Sequence, residues 1–520
     1  MGYGEWIAAY DVPAPPAHVS DAEASWRPLV HVRIADPTSA AGALTLESLR
    51  AQHYTRWLAD DASRVVVARG ADAPDGAHAE SSVEPTLETT LRAGDRLAPH
   101  ALHAVVAAFA AHPDARVVYT DDDEWPRGGV RTRPRFKPDF DLDLLCATNY
   151  VHGLVVFRGV AAAPTTVDDV LRVVSESGDD AVVHVPRVLL HRSDPRSPDA
   201  SVNADALERL VARRHPGATV LPATNGQAAR VRYPLPSPAP RVTLVMPTRN
   251  QAARLRMAVD SIRHVTSYPS FEWLVVDNGS DDAACAAYLR ALASEPGVCV
   301  LRDERAFNWS ALNNAAAVQA SGDIFCFIND DVEAIEPDWL TELVRVAMRA
   351  DVGVAGARLW YPDGTLQHGG LVLHPHSGAS HLEAHLPREA CGYLGLTHSA
   401  RRVSAVTGAC LVVRREVFQT VGGFDEALPS DFNDVDFCLR VGQRGLKTVY
   451  TPFANLVHHE GATRGGWDDP AHRRRFTEAR RLFADRWGPQ LAHDPWFNPN
   501  LSISREDPPL AWPPRLEPRT

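Results

Sequence analysis

From Arg241 onward the chain alternates between short apolar runs and longer segments of helical spacing. RVTLVMPT is a short apolar run, bounded by Pro247, and it predicts a buried strand. LRMAVDSIRHV follows, with Leu255, Val259, Ile262 and Val265 spaced to share one helix face. WLVVDNGSDD then predicts a strand ending in a polar turn, AACAAYLRALAS a helix, VCVLRD a strand and SALNNAAAVQAS a helix. DIFCFINDD predicts a further buried strand with an acidic end. Strands alternating with helices imply βαβ units and a mainly parallel sheet. Ligands of such sheets sit beyond the carboxyl ends of the strands. Polar residues recur at those ends: Thr248-Arg249-Asn250, Asp277-Asn278-Gly279 and Asn329-Asp330-Asp331.

The first half repeats this plan imperfectly. VHVRIADP followed by TLESLRAQHYTRW parallels VTLVMPTR followed by AVDSIRHVTSYPSFEW. VDDVLRVV…VVHVPRVLLHR parallels NDVDFCLRV…TVYTPFANLVHH, with the same 19-residue step from Arg172 to His191 and from Arg440 to His459. Two matches in the same order point to a duplicated domain rather than two unrelated α/β domains. Four prolines in YPLPSPAPRV disfavour helix and central strand, so residues 233–241 read as a semi-rigid linker. The expected division is a first domain over 1–232, a second over 242–487 and a proline-rich tail over 488–520.

Composition narrows the function. Lys plus Arg is 53 against 65 Asp plus Glu, a net charge of −12, which argues against a nucleic-acid partner. An ordinary apolar content excludes a disordered chain. No apolar run reaches the ~18 residues of a membrane span, and the amino terminus lacks the pattern of a secretory signal. The seven cysteines are odd in number, scattered and without a CxxC pair, so they read as small core residues in a reducing cytoplasm.

Several clusters carry candidate chemistry. Asn329-Asp330-Asp331 ends a buried strand, and oxygen ligands there suit Mg²⁺ or Mn²⁺ together with substrate phosphates. Asp434 and Asp436, at i and i+2 of one predicted helix, point different ways. One can face a cleft as a general base while the other caps the helix or pairs with Arg440. His458-His459-Glu460 can ligate a metal or bond a phosphate, and the loop Gly461, Thr463, Arg464 and Gly465 suits phosphate contact. The glycines of DGTLQHGG and VTGACLVV read as turn residues. RRRFTEARRLF, Arg473 to Phe483, is basic and amphipathic and reads first as a packing helix.

Taken in order, VTLVMPTRN, WLVVDNGSDD, FNWSALNNAA, FINDDVE, DGTLQHGG, VTGACLVVRREVF, GGFDE…FNDVDFCLRV and LVHHEGATRG resemble bacterial family 2 glycosyltransferases, above all the rhamnosyltransferase-like enzymes of O-antigen and cell-surface polysaccharide assembly. The resemblance covers about Arg241 to Gly466. It implies a GT-A fold, here as two α/β units in tandem with the first degenerate. It also implies inverting transfer from a nucleotide-diphosphate sugar to a saccharide or lipid-linked saccharide, with possible peripheral contact at the inner face of the membrane. The sugar suggested is rhamnose, with other nucleotide sugars open. Carried over by position, Pro247, Thr248, Asn250, Asp277, Asn278, Gly279, Asn308, Asn313 and Asp330 bind the donor. Asp331, Asn329 and His458 hold Mg²⁺ or Mn²⁺, and Asp434 is the catalytic base. Asn329 departs from a strict DxD pattern.

The first half resembles a second copy whose chemistry is lost. Its DxD position reads Arg92-Ala93-Gly94, its base position falls at Thr166, and its first strand ends in IADPT. YTDDDE, one segment later, is assigned a surface or acceptor-side role. Two rivals remain: a non-catalytic saccharide- or nucleotide-binding scaffold, and a nucleotidyltransferase, which PTRNQAARLR disfavours because it offers no Gly- and Lys-rich phosphate loop.

Overall fold

The structure is a computed structural model that describes residues 2–11, 26–61, 66–73, 86–126, 129–159, 167–194, 204–221, 230–375, 377–460, 470–503 and 509–515. The chain divides into two compact units, residues 1–231 with 497–520 and residues 232–496. The carboxy-terminal residues therefore fold with the first unit rather than forming a separate tail. Asn498 shows why: its amide donates to Asp121 Oδ2 at 2.9 Å and to the Lys137 carbonyl. The proline-rich stretch packs on the second unit, where Tyr268 donates to the Pro240 carbonyl and Arg349 lies over the Tyr233 ring.

In the second unit the sheet runs Val298–Arg302, Phe271–Asp277, Val242–Thr248, Ile324–Ile328, Cys410–Arg414, Val352–Trp360, Lys447–His458, Val332–Ala334. The first four strands are parallel. Cys410–Arg414 is antiparallel to both of its neighbours, Val352–Trp360 is parallel to Lys447–His458, and the edge strand is antiparallel. The first unit runs Val66–Arg69, Trp57–Asp60, Leu29–Ile34, Thr86–Leu91, Val155–Arg158, Val117–Glu124, Val182–Arg192, Arg96–Leu97. Its neighbour senses are the same except at the outermost pair, which is antiparallel. Equal order, with equal sense at every pair but the outermost, is what a tandem duplication produces.

Helices on both faces explain the continuous apolar strands. Val242, Leu244 and Met246 pack with Leu255, Val259 and Ile262 of helix Ala252–Val265. Val245 points the other way, among Phe325, Phe327 and Leu312 of helix Trp309–Gln319. Five of the seven cysteines are buried, and all are free thiols. No helix among the described residues is long and apolar enough to cross a membrane.

The acidic run of the first unit is not at the surface, which corrects the role assigned to YTDDDE. Asp121, Asp122, Asp123 and Glu124 are buried in the strand Val117–Glu124. Asp122 meets Lys137 Nζ at 2.7 Å and Arg135 at 3.1 Å. Asp123 accepts from Tyr3 at 2.7 Å and Arg131 at 2.6 Å, and faces His191 Nδ1 at 2.7 Å. Buried carboxylates survive only when paired in this way. The strand Thr86–Leu91 ends at Arg92-Ala93-Gly94, where the second unit has Asn329-Asp330-Asp331 after Ile324–Ile328. Thr166 lies outside the described residues.

Candidate active site

The chain of the second unit moves outward from Val242–Thr248 to Phe271–Asp277 and Val298–Arg302, then returns on the other side at Ile324–Ile328. The carboxyl ends of Val242–Thr248 and Ile324–Ile328 therefore flank a topological switch point, where sheets of this kind bind ligands. Pro247 and Thr248 close the first strand, and Thr248 Oγ1 donates to Asp330 Oδ2 at 2.6 Å across the gap. Burial pushes the Asp330 carboxyl up to about 6, against the pull of that hydrogen bond. Burial also opposes ionisation of Asp331, yet its carboxyl is lowered, because His458 and Arg254 outweigh it.

Beside the gap, Asp277 ends its strand with Oδ2 on Arg302 at 2.6 Å and Oδ1 accepting the Ser280 N–H. Asn278 is buried, its amide donating to the Asp303 and Arg305 carbonyls. Gly279 turns the chain at φ +67°, a region that favours glycine. Asn250 braces this loop: its side chain accepts from the Asp281 and Asp282 N–H groups and donates to Asp281 at 2.7 Å.

A ring of direct contacts encloses the other side. His458 ends the strand Lys447–His458 with Nε2 3.1 Å from Asp331 Oδ1. Its Nδ1 lies 2.7 Å from Gln367 Oε1, and Gln367 Nε2 donates to Glu460. The neighbouring His368 is buried, which pushes its pKa well below the usual range. Its Nε2 accepts the Thr407 N–H at 3.4 Å, and the next residue, Gly408, donates its N–H to Asp434 Oδ2 at 2.7 Å. Trp309 closes the ring: its ring lies within 3.3 Å of where a Gly408 Cβ would stand, and its Nε1 donates to Asn329 Oδ1 at 3.3 Å. Asp434 is half-buried in the first turn of helix Asn433–Gly442. Asp436, two residues on, is fully buried with Arg440 Nε at 2.7 Å, Arg486 NH1 at 2.5 Å and Trp487 Nε1 at 3.0 Å.

Residues 243–422 match the description Glycosyl transferase family 2. Residues 243–422 belong to that family. The chain is 33% identical to the O-antigen biosynthesis protein RfbC of Myxococcus xanthus, over 97% of this chain and 43% of that protein. It is 38% identical to the uncharacterised protein y4gI of Sinorhizobium fredii, over 92% of this chain and 58% of that one. The chain thus spans about half the length of these curated relatives. A shorter match, 43% identical over 15% of this chain and 24% of the relative, is to an N-acetylglucosaminyl-diphospho-decaprenol L-rhamnosyltransferase of Mycobacterium tuberculosis.

Three carried-over residues make contacts within the protein. Asn308 is the N-cap of helix Trp309–Gln319: Oδ1 accepts the Ala311 N–H at 3.0 Å and Nδ2 donates to the Glu426 carbonyl at 2.8 Å. Asn308→Ala should therefore cost about 1 kcal/mol of stability, the usual worth of a cap, read as a lower melting temperature with donor affinity unchanged. Asn313 is wholly buried and donates to the Trp309 carbonyl. The side-chain oxygen of Asn329 accepts from Trp309 Nε1 at 3.3 Å.

Among the described residues no three His, Cys, Asp or Glu side chains cluster to hold a metal ion by themselves. Asp331 and His458 nevertheless fit one that shares its remaining positions with substrate oxygens. Gln367 Nε2 points to Glu460, which leaves its Oε1 for the His458 Nδ1 proton and puts His458 Nε2 opposite Asp331 Oδ1. That carboxylate oxygen is buried with no hydrogen-bond donor. Two acceptors 3.1 Å apart require a proton or a cation between them. Sequence reading missed Arg254, whose buried NH1 lies 3.8 Å from Asp331 Oδ2 without a hydrogen bond. The loop Gly461, Thr463, Arg464, Gly465 lies outside the described residues.

Proposed function

We propose that the second unit transfers a sugar, with inversion, from a nucleotide-diphosphate sugar to a hydroxyl of a saccharide or lipid-linked saccharide in cell-surface polysaccharide assembly. The observation that carries this reading is the contact ring that joins Asp331 and His458, at the switch point, to Asp434 through Gln367, His368, Thr407 and Gly408. The O-antigen name of the Myxococcus relative and the rhamnosyltransferase name of the mycobacterial one support the pathway and rhamnose as donor sugar.

In the proposed reaction Asp277 meets the base, and the loop braced by Asn250 shapes the nucleotide pocket. Asp331 and His458 hold Mg²⁺ or Mn²⁺, which would neutralise the diphosphate as it leaves. Arg254 adds a fixed positive charge on the same side. Asp434 takes the proton of the acceptor hydroxyl while that oxygen bonds to the anomeric carbon and the bond to the diphosphate breaks. Its carboxylate is oriented by the Gly408 and Val435 N–H groups.

The test is nucleotide release from a panel of sugar nucleotides with and without Mg²⁺ or Mn²⁺. Release from one donor, dependent on acceptor and metal, supports the reading; tight binding of a sugar nucleotide with no release under any condition favours the scaffold. Asp331→Ala should weaken metal-dependent nucleotide binding by about 10- to 100-fold, the worth of one charge-assisted contact. Unchanged affinity in a calorimetric titration would remove Asp331 from the metal.

A further inference from the structure

Trp309 opens the helix Trp309–Gln319 and reaches both ends of the candidate site. At one end its Nε1 donates to Asn329 Oδ1 at 3.3 Å, two residues before Asp331. At the other, its ring carbons lie 3.1 and 3.3 Å from where a Gly408 Cβ would stand, and the Asp434 Cβ lies 3.5 Å from that same point. Phe424 and Phe327, both buried, hold the ring from the core, with centroids at 4.8 and 6.3 Å. The backbone is committed as well, the N–H to the Pro429 carbonyl and the carbonyl to Asn313 Nδ2. Trp309 is nevertheless only half-buried. With its one polar side-chain atom on Asn329, the part left open is hydrocarbon surface.

We propose that this open part of Trp309 is the platform against which the transferred sugar of the donor packs. On the transfer reading, on which this proposal rests, the reaction itself fixes the position. Inversion puts the leaving group and the attacking oxygen on opposite faces of the anomeric carbon. The diphosphate lies with Asp331 and the attacking hydroxyl with Asp434, so the pyranose ring lies between them, beside the one indole that touches both ends. A pyranose carries C–H groups on its faces, and packing them on an aromatic ring removes apolar surface from water. The acceptor sugar suits the platform less well, because it lies beyond Asp434, away from Asn329. Trp309 therefore binds the sugar of the donor and not its nucleotide.

The experiment is calorimetric titration of the whole chain with dTDP-rhamnose, UDP-glucose and GDP-mannose, each beside its own free diphosphate, with Mg²⁺ and without acceptor. Trp309→Leu should weaken the sugar nucleotide that binds by about 5- to 10-fold, the scale of one aromatic contact, and its diphosphate by less than about two-fold. Trp309→Phe should keep most of the sugar-dependent affinity. A tryptophan that only braces Asn329 would instead weaken diphosphate and sugar nucleotide together. One that only braces Asp434 would slow transfer with both affinities unchanged. Either result overturns the proposal and leaves the transfer reading standing, whereas binding of none of the three sugar nucleotides would count against both. Should the leucine variant fail to fold, the unaltered protein decides. Irradiating its aromatic protons should saturate the pyranose protons of the bound sugar nucleotide, and no transfer to them would overturn the proposal.

Discussion

Asp434→Asn should lower the rate of sugar transfer by about 10²- to 10⁴-fold, the usual contribution of a general base, with nucleotide affinity changed by less than about two-fold. The asparagine retains an oxygen that accepts the Gly408 N–H, so the turn that now holds Asp434 Oδ2 at 2.7 Å survives. What is lost is the ability to take a proton. The expected signature is therefore a fall in kcat with little change in donor binding and an unaltered melting temperature. Continuous nucleotide-release kinetics and a separate nucleotide titration distinguish the outcomes. Retained transfer, or a parallel loss of nucleotide affinity, would remove Asp434 from the role of base and leave it as part of the donor pocket.

Much of the fold was legible because the relevant signals are local. Buried strands such as Val242–Thr248 and Ile324–Ile328 read as continuous apolar runs, and the helices between them read as stripes of 3.6-residue period. The duplication was legible from spacing and is written in two sheets of equal strand order. Of the site, strand-end acids such as Asp331 could be found, because strand ends are where α/β sheets expose chemistry. That Asp434 and Asp436 point different ways followed from the i, i+2 offset on a helix, though not which carboxylate would be buried. Long-range pairing was not legible. Nothing local says that Gln367 orients His458, that Trp309 closes the ring at Gly408, or that Asn308 points to its own helix rather than a ligand. YTDDDE reads as a surface or acceptor-side segment because it falls one segment past the DxD position; its burial depends on Lys137, Arg131, Arg135 and histidines from other strands and loops. The path of residues 497–520 back to the first unit likewise rests on partners such as Asp121, more than 370 positions away.

The second large effect lies two residues beyond the base. Asp436→Ala should destabilise the second unit by about 3 kcal/mol, the lower end of the range for breaking a buried ion pair, and lower its melting transition by about 6–10 °C at that unit's size. The carboxylate is fully buried and collects Arg440, Arg486 and Trp487, which tie helix Asn433–Gly442 to helix Pro470–Ala492. Removing it leaves the Trp487 N–H buried without this acceptor. The low end applies because both arginines keep other partners: Arg440 donates to the Val421 and Gly423 carbonyls, and Arg486 retains Asp425. Differential scanning calorimetry that resolves the two units would show a shift confined to one transition, and transfer activity of the folded fraction would remain. Asp434→Asn should give the opposite pair of results, normal melting and lost transfer. If instead Asp436→Ala melts like the unaltered protein but loses transfer, the roles of the two carboxylates must be exchanged.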